Sequence, residues 1–407
     1  MQEKVSVIVP IGNRENFLEK TLKSIQNQTL RDIEIICIDD ATEGKCRQII
    51  ENFQRNDSRV KVKRMTEHQG AAVCRNAGLE LGQAPYVIFL DSDDLFEKDM
   101  LELLYQEAEK YDADMAIAEY DTFIAESDLK DEKIELYKVS PYTNPFSMKT
   151  LEEKCLLWNM APWNKLIRRE FLQKWGLHFQ KIDAANDVYF SLITGLLSEK
   201  IVHTATTRPL IHYRTNMQGQ ISSTRLPIHC YSAFLYLKKD LVSRNCWEEF
   251  SDIVRPIFLK CILAEIRTCR DNKAGKFSYE LLRKEGIREF GLDTSDRYKE
   301  VVNKITNRPY EDRWYKTWSA AGAVLKTKKQ KVNQLGNYIG RHNGIAGLFG
   351  AGIINKTLLD EINQSAAWNL VTVIFIDNDK KKQGTKLNGS EVISMEAAAG
   401  YVDYIII

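Results

Sequence analysis

Short apolar runs alternate with helix-like segments over the first 120 residues. Val5 to Val9, VSVIV, predicts a buried parallel strand. Glu15 to Gln28 then places Phe17, Leu18, Thr21, Leu22 and Ile25 on one helical face. Ile33 to Ile38 predicts a second strand, Lys45 to Gln54 a helix and Val60 to Lys63 a short strand. Ala71 to Leu81 predicts a helix, Tyr86 to Leu90 a strand, Lys98 to Tyr111 a helix and Met115 to Ala118 a strand. This order implies an α/β fold with a mostly parallel sheet and helices on both faces. Such sheets bind ligands beyond the carboxyl ends of their strands, so the residues after each strand are where chemistry is sought.

Residues 121 to 150 are polar, with Pro141 and Pro145, and predict an irregular loop. Residues 184 to 198 predict an amphipathic helix, and 228 to 325 a run of helices rich in Leu, Tyr, Lys and Glu. After Lys331 a second βαβ-like series begins, with Leu348 to Gly352, a helix to about Asn363, Val371 to Ile376 and Val402 to Ile407. The expected division is a first domain over 1–220, a helical region over 221–330 and a Rossmann-like α/β domain over 331–407. A strand at the end of the chain, Tyr404 to Ile407, raises the expectation that this is a piece of a longer protein.

A length of 407 residues suits two or three domains. With a net charge of +1 there is no global field to draw the chain onto nucleic acid, and no nucleic-acid partner is expected. Lys326 to Lys331, KTKKQK, reads as a solvated linker. The eight cysteines form no CxxC pair and several lie in apolar runs, which fits a reducing cytosol better than disulfides or zinc. The apolar run before Pro10 has five residues, too short for a signal peptide, and no stretch approaches a membrane span.

The fourth strand ends in Leu90-Asp91-Ser92-Asp93-Asp94. Carboxylates two apart after a parallel strand can converge on one hard cation, Mg²⁺ or Mn²⁺, that would bridge to diphosphate oxygens. The same residues also suit a turn or a helix N-cap. The second strand ends in Asp39-Asp40, on the same edge. One of these carboxylates suits the N3–H of uracil and the other nearby backbone N–H groups; plain loop solvation is the alternative.

Several segments together carry a resemblance. VSVIVPIGNRENFLEKTLKSIQNQT, IEIICIDDAT and HQGAAVCRNAGLELGQAPYVIFLDSDD span residues 4 to 94, followed by APWNKLIRREFL at 161–172 and NDVYFSL at 186–192. In order and spacing they resemble family 2 glycosyltransferases of the GT-A fold. The resemblance implies a GT-A nucleotide-diphospho-sugar transferase fold, with Pro10 and Asp40 at the nucleoside and Asp40 on uracil. It makes Asp39 the companion carboxylate, sets Arg75 beside the nucleotide, and gives Asp91 and Asp93 as the DxD pair, with Asp93 the principal metal ligand. Asp187 falls on the general base of the inverting enzymes. A single displacement at the anomeric carbon needs such a base, because an acceptor hydroxyl is a poor nucleophile until its proton is removed. An N-capping or exposed acid at a helix start is the alternative for Asp187.

Three positions depart from the family pattern. Gly12 stands where an aromatic ring usually stacks on the base, Ala41-Thr42 replaces the usual Gly-Ser, and Asn186 replaces the common Glu before the base. His212 reads as a structural histidine or a metal or diphosphate ligand. Arg214 reads as a phosphate contact or a surface pair, and Trp163, beside Lys165, as a sugar platform or core packing. Gly350-Ala351-Gly352 and Asp377, Asp379 suggest a Rossmann-like half, although Asn355 replaces the third glycine of the fingerprint.

The resulting expectation is an inverting, Mn²⁺- or Mg²⁺-assisted transferase of a UDP-hexose or UDP-N-acetylhexosamine. Its acceptor would be a bacterial surface glycan or lipid-linked glycan, at the cytosolic face of the inner membrane with peripheral attachment; homo-oligomerisation stays open. The rivals are an inactive member serving as a glycan-binding or assembly subunit, and a nucleotide-linked oxidoreductase acting through the C-terminal glycines.

Overall fold

The computed structural model describes residues 2–123, 144–151, 158–182, 184–204, 206, 208–215, 226–313 and 315, and beyond these the backbone of five short strands. The chain divides into two compact units, Met1–Lys316 and Thr317–Ile407.

The first unit is built on a seven-stranded sheet. Its strands are β1 (Val5–Ile11), β2 (Ile33–Asp39), β3 (Val60–Arg64), β4 (Tyr86–Phe89), β6 (Met115–Ile117), β8 (Lys165–Arg168) and β9 (Ile201–His203), in the order β3-β2-β1-β4-β8-β6-β9. β3, β2, β1 and β4 are mutually parallel, β8 is antiparallel to both β4 and β6, and β9 is parallel to β6. The carboxyl ends of every strand but β8 therefore share one edge. Every residue of β1 and β2 is buried, as an apolar run between two helical layers should be. Helices α1 (Leu18–Gln26), α2 (Gly44–Asn56), α3 (Ala71–Leu81) and α4 (Met100–Lys110) follow the predicted phase, and α1 buries Leu18, Thr21, Leu22 and Ile25. Phe17 lies just before α1 and not inside it. Gly78 of α3 lets the helix lie on β1, since a Cβ there would stand 2.3 Å from an Ile8 methyl carbon.

A second, three-stranded sheet has the order β5-β10-β7, from Leu95–Phe96, Ile211–Arg214 and Tyr120–Phe123. Residues 121–123, expected in a loop, are thus part of β7, and Phe146 forms an isolated bridge to Ile201. The rest of the expected loop up to residue 143 lies outside the described residues.

Helices α5 (Arg169–Trp175) and α6 (Asn186–Leu197) follow β8. After them come α7 (Pro227–Ser243), α8 (Trp247–Thr268) and α9 (Asn272–Leu281). Tyr189 of α6 donates to Asp240 of α7 at 2.9 Å and packs edge-on against Tyr236. Phe258 of α8 stacks on Phe290, 3.9 Å between centroids. The helical region thus docks on the sheet unit through α6.

The second unit has strands β11 (Ile345–Phe349), β12 (Thr372–Ile376), β13 (Lys386–Leu387), β14 (Ser390–Ile393) and β15 (Tyr404–Ile406), ordered β13-β14-β12-β11-β15. All pairs are parallel except β13 with β14. Leaving β13 aside, the chain order 3-2-1-4 is that of the first four strands of a doubly wound sheet. The expected helix to Asn363, the glycines 350 and 352, Asn355 and the acids 377 and 379 lie outside the described residues. Among the described residues no helix is long and apolar enough to cross a membrane.

Candidate functional site

The carboxyl edge of the first sheet gathers most of the predicted residues. Pro10 is buried in β1, paired in register with Ile38 of β2. Gly12 follows β1, and a Cβ built on it meets nothing within 4 Å. The edge is open where the family's aromatic ring would stand.

Asp39 ends β2 and Asp40 follows it, both buried. Asp39 Oδ1 accepts from the Thr42 N–H at 2.8 Å, and Oδ2 from Arg64 Nη1 at 3.0 Å. Asp40 accepts from the N–H groups of Gln69 (2.7 Å) and Gly70 (2.9 Å), just before α3, and His68 Nδ1 lies 2.8 Å from its Oδ2. Both carboxylates therefore tie β2 to the next segments. Asp40 Oδ2 meets both the Gly70 N–H and His68, so the acceptor capacity it would offer a uracil N–H is on Oδ1. Ala41 has φ +56°, a left-handed conformation that glycine adopts without strain, which explains the family's usual glycine at this position.

Beyond β4, Asp91, Asp93 and Asp94 crowd one turn. Burial, then the charge of Asp91, push the Asp93 carboxyl up to about 6. Burial and both neighbouring acids hold Asp94 well above the usual carboxylate range. Asp94 Oδ1 accepts from the Arg214 N–H at 2.8 Å, while its Oδ2 is buried without a hydrogen-bond partner among the described residues. Arg14 Nε lies 3.7 Å from Asp93 Oδ2. Arg214 is buried, not a surface pair: its Nε donates to the Asp93 carbonyl, and its guanidinium lies 4.3 Å from the ring centroids of both Phe17 and Phe123. It clamps the acidic turn to the second sheet.

Arg75 of α3 joins this turn to α6. Its Nη2 donates to Asp91 Oδ1 at 2.6 Å, and its Nη1 to Asn186 Oδ1 at 3.0 Å. Asn186 begins α6, and the half-buried Asp187 follows in its first turn. The fold thus gathers Asp91, Arg75 and the helix start that carries Asp187, residues far apart in sequence.

The ambiguous residues resolve by burial. Trp163 is buried between Tyr120 and Tyr213, with ring centroids 4.8 and 5.5 Å away, so it packs the core. His212 lies between Asp121 Oδ1 (2.7 Å) and Glu97 Oε1 (3.1 Å), joining β10 to β7 and to the segment after β5.

Lys165, beside Trp163 in the PWNKL segment, is fully buried at the start of β8. Its ammonium donates to the carbonyls of Asn159 and Ala161 and to Asn164 Oδ1, at 2.6 to 2.8 Å. It also lies 5.1 Å from the centroid of Trp158. Burial pushes it down to about 7, with the Asp187 charge acting the other way. Trp158 in turn donates to the Ser191 carbonyl of α6. The available signal was a lysine at the entrance of an apolar strand, where a solvated charge would be out of place.

Residues 6–176 match the model of glycosyl transferase family 2. The glycosyltransferase GlyA of Streptococcus pneumoniae serotype 4 is 32% identical over 231 residues, 54% of this chain and 32% of that protein. The putative glycosyltransferase EpsH of Bacillus subtilis is 28% identical over 75% of this chain and 88% of its own. The crystal structure of S. aureus TarS 1–349 in complex with UDP-GlcNAc superposes with a TM-score of 0.58 at 17% identity, covering 74% of this chain and 83% of that one. Residues 6–176 are a family 2 glycosyltransferase domain, and the first unit has the GT-A fold. The chain thus spans about a third of the length of GlyA and most of the length of EpsH.

Proposed function

We propose that the chain is an inverting glycosyltransferase that moves a hexose or N-acetylhexosamine from a nucleotide-diphosphate sugar, UDP-linked, to a hydroxyl of a glycan or lipid-linked acceptor. The catalytic domain is assigned to residues 1–220, with the helical and Rossmann-like regions after it. One observation carries the reading: the acidic turn at Asp91 and the helix start at Asp187 are joined through the single guanidinium of Arg75.

The Asp91 and Asp93 pair would hold a divalent cation through hard carboxylate oxygens, beside Asp94, whose Oδ2 is buried without a hydrogen-bond partner among the described residues. Burial and the charge of Asp91 raise the Asp93 carboxyl, a crowding that a cation would relieve. Among the described residues no three ligating side chains converge, so the rest of the shell would come from diphosphate and water. Mn²⁺ or Mg²⁺ bound there would stabilise charge on the departing diphosphate. The chain's own residues do the rest. Asp40 receives the uracil N–H, and Asp187 takes the proton of the acceptor hydroxyl as it attacks the anomeric carbon. TarS was solved with UDP-GlcNAc, which supports a UDP-sugar donor.

The test is a panel of UDP-, GDP- and CDP-sugars with Mn²⁺, scored by nucleotide release. Release from UDP-sugars, stopped reversibly by EDTA, is expected. Release only from GDP-sugars overturns the uridine assignment, and full activity in EDTA removes the metal.

A further inference from the structure

We infer that Arg75 is a positioning residue: it sets the start of α6, and with it Asp187, against the acidic turn. The inference rests on the reading of Asp187 as the base.

Arg75 is buried, and its planar fork reaches two acceptors 16 and 111 residues away in sequence. A guanidinium holds such a pair in one geometry, whereas an ammonium is a point charge without the fork. Its position is over-determined. The guanidinium lies 5.2 Å from the centroid of Phe179, whose backbone N–H and carbonyl are both bonded to the Asn76 side chain, at 2.8 and 2.9 Å. Phe179 stacks on Phe190 of α6 at 3.9 Å, and Phe89 of β4 meets both rings edge-on. One ring cluster thus joins β4, the segment after α5 and α6 beneath the fork, and Asn76 ties it to α3.

The start of α6 depends on this support. The preceding residue, Ala185, is in the left-handed region at φ +63°, and no side chain caps the helix. Helices normally gain stability from a polar cap there. Here the hold on the first turn comes from Arg75 through Asn186. The departure at 186 fits the same role. A neutral amide accepts one N–H without competing for the charge of Arg75, so Asp91 keeps the full compensation of the cation. A glutamate would divide that charge and add a second carboxylate beside Asp187.

The test is Arg75→Lys, with Asn186→Ala and the double variant, on the full chain. Measured are kcat, UDP affinity by calorimetry, and backbone hydrogen exchange over residues 184–190. Arg75→Lys is expected to lower kcat about 100-fold, the order expected when a reacting group shifts by an ångström, with UDP affinity near wild type and faster exchange at the α6 start. Asn186→Ala should do the same, and the double variant should add little to either. A loss of UDP affinity of about tenfold or more, as for a lost charge-assisted hydrogen bond, with kcat and α6 exchange unchanged, would make Arg75 a nucleotide contact and overturn the inference. If wild type transfers no sugar, the functional reading fails by itself. Exchange then still decides the brace, and unchanged protection in Arg75→Lys rejects it.

Discussion

Gly12 leaves the sheet edge open where a nucleobase would stack, and nothing stands within 4 Å of a Cβ placed there. Gly12→Tyr should therefore fold and should tighten UDP binding. A base–aromatic stack contributes about 1–3 kcal/mol, so the dissociation constant should drop about 5- to 150-fold, as calorimetry would read. Unchanged affinity would mean that the base does not lie over this position. At this scale the sequence was informative about residue type and silent about partners. The acids at 39, 40, 91 and 93 stand out because they punctuate apolar runs, whereas Asp187 is marked only by the family resemblance. That Asp40 holds the N–H groups of Gln69 and Gly70, or that Arg75 reaches Asn186, was not legible, because those bonds join segments 29 to 111 residues apart.

Among elements, the parallel half of the sheet was legible because β1, β2 and β4 are buried apolar runs of four or more residues between phased helices, and the edge strand β3, VKVKR, alternates apolar and charged positions. The second sheet was not. β5 has two residues and β7 only four, too short for a period to show, and their pairing with β10 is set by tertiary contacts. His212 of β10 is the electrostatic pin of that sheet. Burial alone would push its imidazole down, but hydrogen bonds to Asp121 and Glu97 outweigh it and raise it to about 9 from 6.5. Arg208 also faces Glu97, at 3.4 Å. The folded form thus holds the proton more tightly than the unfolded chain. The stabilisation is complete below about pH 6.5 and is lost as pH rises toward 9, and it amounts to ~3 kcal/mol at most. Denaturant titrations across that window should show wild-type stability falling relative to His212→Gln. Parallel pH profiles for the two proteins would show that the pair contributes nothing to the fold.

The whole molecule is two units, and its central claim concerns the first. The sheet brings the ends of β1, β2 and β4 to one edge, and β8 with α5 returns the chain so that α6 starts beside the acidic turn. That return was legible only as a motif, since an antiparallel strand between parallel ones has no local signature. The helical region was legible as helices but not as an extension of the first core, because its docking depends on Tyr189 meeting Asp240 and Tyr236. If the assembly is an inverting transferase, Asp187 removes the acceptor proton. Asp187→Asn preserves size and hydrogen bonding but cannot take that proton. Turnover with donor, Mn²⁺ and acceptor should then fall by about 10²–10⁴-fold while UDP binding stays near wild type. An Asp187→Asn protein that retains more than about a third of the wild-type rate, far outside the range of base catalysis, would contradict the account and assign Asp187 to structure.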